Sequence, residues 1–153
     1  MYGGAIVKLF IYYSLSGNGD FVADKLKENG YAIRKVEPKK EPPKRFFFQI
    51  LAGGFNAGRK YREPLKAYDA DVSAFDEIVI GSPVWNGRLS CPINTVLAET
   101  ALSGKKVAFV LYSGSGEAPK AEKQIRSLLP DAAILHLQEP KKHPETLGRL
   151  SEL

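Results

Sequence analysis

Ala5–Tyr13 (AIVKLFIYY) is almost continuously apolar, β-branched and aromatic, with Lys8 as its single charge. A strand that meets water on one side alternates polar and apolar residues, whereas one without that alternation is covered on both faces. This run therefore calls for helices above and below its sheet. The rest of the chain supplies them. Asp20–Asn29 carries Phe21, Val22 and Leu26 and is followed by Gly30, where a helix-terminating glycine belongs. Tyr31–Val36 reads as a second, more polar strand, Ile78–Gly81 as a third, Val107–Tyr112 as a fourth and Ala133–Leu137 as a fifth. Pro92–Leu102 reads as a helix with proline in its first turn, Ala118–Leu129 as one stopped by Pro130, and Glu145–Leu153 as a short closing helix. Strands alternating with helices predict right-handed crossovers and a parallel sheet with helices on both faces.

Size and composition agree. At 153 residues, 44% hydrophobic and 25% charged, the chain fits one globular domain spanning residues 1–153. No apolar run approaches the ~20 residues that span a bilayer, so no membrane partner is expected. The start, Met1–Ala5, lacks the basic segment and cleavage site of a signal peptide, and a cytoplasmic location is expected. The lone cysteine, Cys91, cannot form an internal disulfide, and His136 and His143 are too few for a usual zinc centre, so no metal is expected. The interval Pro38–Phe75 is irregular. Lys44–Ala57, with Phe46–Phe48, reads as a glycine-weakened helix, either packed in the core or forming an apolar rim.

In an open parallel sheet, ligands bind beyond the carboxyl ends of the strands, where strand order reverses. The segment after the first strand is Ser14-Leu15-Ser16-Gly17-Asn18-Gly19-Asp20. Its glycines allow a concave nest of N–H groups, and the helix after it adds unpaired donors and a partial positive charge. That suits a phosphate monoester; it also suits a plain serine-capped helix start. The loop lacks the Walker lysine and the dinucleotide glycine spacing. After the third strand comes Gly81-Ser82-Pro83-Val84-Trp85-Asn86-Gly87-Arg88, with the only tryptophan of the chain. An aromatic ring in a loop at a strand end can stack on a planar ligand or fold back as a hydrophobic lid. Asn86-Gly87 tolerates positive φ. After the fourth strand lies Ser113-Gly114-Ser115-Gly116, again rich in glycine and free of bulk.

Together these loops resemble the flavodoxin family. Its first loop has the form [ST]-x-[ST]-G-N-[ST], met here by Ser14–Gly19, and its second often reads G-x-P-x-W-x-G, met by Gly81–Gly87. The third loop matches only loosely. The resemblance implies a doubly wound, three-layer α/β/α fold with a five-stranded parallel sheet in the order 2-1-3-4-5. It implies FMN as cofactor, with Ser14, Leu15, Ser16, Gly17, Asn18 and Gly19 around the phosphate. It places Trp85, flanked by Pro83 and Val84, on the isoalloxazine ring. The Asn86 peptide, beside Gly87, would sit near flavin N5, and the amides of Ser113, Gly114, Ser115 and Gly116 near the pyrimidine end. The chemistry would belong to the flavin, with no side-chain catalyst. No Ser/His/Asp set suggests a hydrolase.

Three departures from that family carry consequences. Position 19 is Gly where the family has Thr or Ser, and Asp20 brings a negative charge that either faces the phosphate or caps the helix away from it. No aromatic in Ser113–Pro119 covers the second flavin face, which leans towards a reductase of a quinone or NAD(P)H type rather than a carrier. The net charge is +5, against the usual acidic balance, and cations crowd residues 34–66. That arm is either a solvated face or a dock for an acidic partner, for the phosphates of NAD(P)H or for nucleic acid, though no nucleic-acid-binding motif accompanies it. The expected partners are a redox protein or a small-molecule electron acceptor, and the expected state is a monomer or homodimer. The competing expectation is a flavodoxin-like interaction module that has lost FMN. Cys91, ahead of a helix, is either an activated thiol or an inert buried residue. His136 is expected to be structural, Lys141, Lys142 and His143 to be surface residues, and Asp69 and Asp71 to cap turns.

Overall fold

The computed structural model describes residues 6–40 and 62–153. The expected helix Lys44–Ala57, with Phe46–Phe48, lies outside them. Within them the chain runs β1 (Lys8–Tyr12), α1 (Asn18–Glu28), β2 (Ala32–Lys35), β3 (Glu77–Trp85), β4 (Arg88–Leu89), α2 (Cys91–Glu99), β5 (Lys106–Ser113), α3 (Pro119–Leu128) and β6 (Ala133–Gln138), and ends in a 3-10 helix, Pro144–Glu152.

Five strands pair in parallel in the order β2-β1-β3-β5-β6. Phe10 stands opposite Ile33 on one side and Val79 on the other, and Val79 in turn opposite Ala108. The sheet has six strands rather than the five expected, because β4 pairs antiparallel with the end of β3. The cause is local. Asn86 and Gly87 both adopt positive φ, 51° and 74°, the requirement of a two-residue hairpin turn whose twist matches its strands. Trp85 therefore pairs with Arg88, and β3 continues well past Gly81.

Alternate residues of β1 feed two separate cores. Leu9, Ile11 and Tyr13 pack with Ile93 and Val96 of α2 and with Ala121 and Ile125 of α3. Phe10 and Tyr12 pack with Val22 and Leu26 of α1 and Leu150 of the 3-10 helix. Both faces of the sheet are thus covered, as the unalternating β1 sequence requires. Gly81 is glycine for a packing reason: a Cβ there would come 2.5 Å from the Phe10 ring, which stacks on Tyr12 at 4.9 Å. Gly30 ends α1 with φ 91°. Its N–H donates to the Lys27 carbonyl and that of Tyr31 to the Leu26 carbonyl, the paired bonds of a Schellman motif.

Candidate functional site

The carboxyl ends of β1, β3, β5 and β6 share one rim. There they enclose a cleft of about 550 Å³, within the roughly 300–1,000 Å³ of small-molecule sites. Ser16 and Asn18 form one wall, and Pro83 and Val84 a second. Tyr112, Ser113 and Gly114 form the third, and Glu139, Lys141 and Lys142 the fourth.

The first wall begins at Ser14, only 9% exposed. Its hydroxyl oxygen accepts the N–H groups of Gly17 at 3.1 Å and Gly19 at 3.0 Å. Ser14 thus shapes the turn from inside and does not line the cleft, and two loop amides are already bonded. Leu15 packs against the core on the α2 and α3 face. Gly17 adopts φ 97° at the head of α1, and the amides of Ser16 and Asn18 meet no acceptor among the described residues. The Asn18 side chain donates to Ser16 Oγ at 3.3 Å and accepts the Lys141 amide at 3.0 Å. It thereby ties this loop to the segment after β6.

Position 19 is explained by a distant ring. A Cβ on Gly19 would fall 2.5 Å from Tyr112 Oη and 2.9 Å from Ser14 Cβ. The Tyr112 hydroxyl donates to the Tyr13 carbonyl from full burial, and burial raises its pKa. The missing hydroxyl of the first loop is therefore space already taken. Asp20 faces away from the cleft: it accepts the Tyr12 hydroxyl at 2.7 Å and pairs with Lys35 at 2.9 Å. Burial and that carboxylate together raise the Tyr12 pKa.

The second loop turns inward at Trp85. Trp85 is 5% exposed, edge-on to Tyr13 at 5.7 Å, and belongs to the α2 and α3 core. The hairpin holds residue 85 within the sheet, so its indole serves the hydrophobic interior and does not line the cleft; Pro83 and Val84 do. Its Nε1 is buried with no partner among the described residues. Asn86 is exposed at the hairpin tip. The Gly87 carbonyl accepts the Ala121 amide at 2.9 Å, which fastens the hairpin to α3 instead of to the cleft.

In the third loop, the Gly116 amide donates to Ser113 Oγ at 2.9 Å, and the Gly114 carbonyl accepts Gln138 Nε2 at 2.9 Å. Ser115 caps locally through Glu117. Ser113 and Gly114 reach the cleft; Ser115 and Gly116 do not line it.

Four cleft residues carry no site signal of their own in the sequence: Tyr112, Glu139, Lys141 and Lys142. The one usable signal is position, since residues 139–142 leave the carboxyl end of a strand as the other loops do. Glu139 turns the chain with φ 39°. Its carboxylate pairs with Lys142 at 3.3 Å.

Other candidates resolve structurally. Cys91 is 2% exposed and its thiol pKa is pushed up to about 11 by burial and by the Glu63 charge, opposite to an activated thiol. His136 stands on the edge strand β6, 3.6 Å from Glu122. Asp69 and Asp71 accept the amides of Asp71 and Ser73 and cap turns. Three cations of the basic arm are paired: Arg34 with Asp69, Lys35 with Asp20 and Lys66 with Glu37. Lys44, Arg45, Arg59 and Lys60 lie outside the described residues. Among the described residues no helix is long and apolar enough to cross a membrane.

No curated protein matches this chain. Among solved structures, it resembles a protein of Bacteroides uniformis ATCC 8492 described as a candidate flavoprotein, at 20% identity and TM-score 0.74, covering 98% of this chain and 100% of that one. A flavoprotein of Lactobacillus acidophilus NCFM solved in complex with FMN matches at 20% identity and TM-score 0.69, covering 92% and 98%. A flavodoxin, WrbA-like protein of Agrobacterium tumefaciens matches at 12% identity and TM-score 0.52, covering 84% and 76%. These likenesses establish a flavodoxin-like fold. The family model for NADPH-dependent FMN reductases matches residues 18–142. That match supports the flavodoxin-like superfamily without singling out the flavodoxin family, and it names a flavin oxidoreductase with FMN as cofactor. The chain belongs to the NADPH-dependent FMN reductase family.

Proposed function

We propose that the chain is an FMN-dependent oxidoreductase that holds FMN in the rim cleft and takes its electrons from NADPH. The observation that carries the reading is convergence: a helix N-terminus with open amides and a glycine-rich strand end face one cleft of about 550 Å³. Ser16 and the amides of Ser16 and Asn18 would hold the phosphate, where exposed N–H groups and the helix dipole favour an anion. Pro83 and Val84 would offer an apolar wall to the ring, and Ser113 with Gly114 a polar edge. Ser14, Gly17 and Gly19 act behind them by fixing the turn. The residues fit the group, because the cradle over Gly17 has the positive φ that a nest of amides requires.

When bound, FMN supplies reversible acceptance of a hydride or of single electrons. The chain's part is to grip the phosphate, orient the ring and leave one face open. With Trp85 in the core and Tyr112 bonded to Tyr13, no aromatic side chain among the cleft-lining residues is free to cover the ring. An uncovered face leaves room for a second substrate, which supports a reductase over a carrier. Beside the hairpin a groove of about 350 Å³ is lined by Arg88, Lys120 and Lys123, cations of the sign that nucleotide phosphates need.

The test is to mix FMN-loaded protein with NADPH and follow the flavin absorbance by stopped flow. Rapid bleaching is expected. Bleaching only by a partner protein would favour a carrier, and failure to take up FMN at all would favour an interaction module.

A further inference from the structure

Lys141 is placed where helix electrostatics alone would not put a cation. If Gly17 carried a Cβ, it would touch Lys141 Cδ and Nζ, each at 3.5 Å. The ammonium therefore lies over the first turn of α1, the positive end of a helix dipole, where anions are stabilised and cations are not. The arrangement is built by the backbone. Glu139 reverses the chain at φ 39°, its carbonyl accepts the amides of Lys142 at 2.8 Å and His143 at 2.9 Å, and the Lys141 amide donates to Asn18 Oδ1 at 3.0 Å. Neighbouring cations are neutralised, Lys142 by Glu139 and Lys35 by Asp20. Lys141 has no acidic partner among the described residues. Two like-signed features held against one open nest make a site that an anion completes.

The same loop has no hydroxyl at position 19, and Ser14 is turned inward. Tyr112 fills the space of a side chain at position 19, and the Ser14 oxygen is already bonded to two amides. We propose that Lys141 is the charge contact to the flavin phosphate, replacing the hydroxyl missing at position 19 and making the chain select FMN over unphosphorylated riboflavin. This rests on the reading of the cleft as an FMN site. A phosphate monoester carries between one and two negative charges near neutral pH, and a lysine ammonium meets it as a compact point charge.

The test is calorimetric titration of flavin-free protein with FMN and with riboflavin, for the wild type, Lys141→Gln and Lys141→Arg. Lys141 is exposed, so the variants should fold. For Lys141→Gln the FMN dissociation constant should rise about ten- to a hundredfold, the span of a lost charged hydrogen bond. Riboflavin affinity should be unchanged, Lys141→Arg should recover most of the loss, and the salt dependence of FMN binding should weaken. FMN binding that is unchanged in Lys141→Gln, or that falls equally for both flavins, overturns the proposal. If the wild type binds neither flavin, the FMN reading fails, and inorganic phosphate then judges Lys141 alone. Perturbation of the Ser16 and Asn18 amide resonances by phosphate, lost in Lys141→Gln, sustains the anion contact; insensitivity to phosphate overturns it.

Discussion

The loops after β1 and β3 are similar in composition, both short and rich in small polar residues and glycine, yet they end in opposite conditions. The first stays open. Its glycine at φ 97° heads a helix, and Ser16 and Asn18 line the cleft. The second closes on itself. Asn86 and Gly87 form a tight hairpin, Trp85 turns into the core and Gly87 is fastened to α3. The difference comes from the element that each loop leads into. A helix leaves its first N–H groups without partners, whereas an antiparallel strand consumes them. Composition alone therefore does not mark a binding loop; the element that receives the chain decides.

The largest test of this contrast removes the buried indole. Trp85→Ala should cost about 3–5 kcal/mol of stability, as loss of a large core aromatic does, read as a shift in the denaturant midpoint. Trp85→Phe should keep the fold and leave FMN affinity within about twofold, below the ~1.4 kcal/mol that a tenfold change represents. A loss of tenfold or more in the Phe variant would put the ring back at the flavin.

Next in size is Gly19→Thr. A loop merely short of a hydroxyl would gain FMN affinity from it. Here the added Cβ meets Tyr112 and Ser14 at under 3 Å, and overpacking should cost about 1–3 kcal/mol, seen as a lower melting temperature with no gain in affinity. Tighter FMN binding at unchanged stability would contradict the packing account.

Thiol chemistry probes the sealed side. Cys91 has its pKa raised from 9.0 to about 11, so the native state holds the thiol proton more firmly than the unfolded chain. The resulting stability is fully present below pH 9 and is lost as pH rises from 9 to 11. Labelling of native protein by a disulfide reagent at about pH 8, below the ordinary thiol pKa, should be slow and should become fast on unfolding. Rapid native labelling would show a thiolate that the structure does not provide.

The smallest effect is expected from Asp20→Asn. The carboxylate faces Tyr12 and Lys35, and a partly exposed pair is worth under about 1 kcal/mol. FMN affinity should stay nearly constant. A several-fold gain would mean that Asp20 repels the phosphate after all.

Much of the fold is legible along the chain. The unalternating β1, the Leu26–Gly30 helix end and the strong β5 follow from local rules, and they fix the layers and the rim on which the site lies. Contact between distant residues is not legible there. Gly19 reads as a missing hydroxyl until Tyr112 is placed against it. Lys141 reads as surface until the turn at Glu139 sets it over Gly17. A tryptophan at a strand end reads as a ring platform, since nothing in its neighbours shows which way it points. Asn86-Gly87 does carry a hairpin signal, but β4 is only two residues long and leaves almost no strand pattern to support it.

The most direct measurement is an amide and indole NMR titration of the flavin-free protein with FMN. The account predicts the largest shifts at Ser16, Asn18, Ser113, Gly114 and Lys141, with the Trp85 indole resonance nearly still. Strong movement of that indole with quiet Ser16 and Asn18 amides would contradict it.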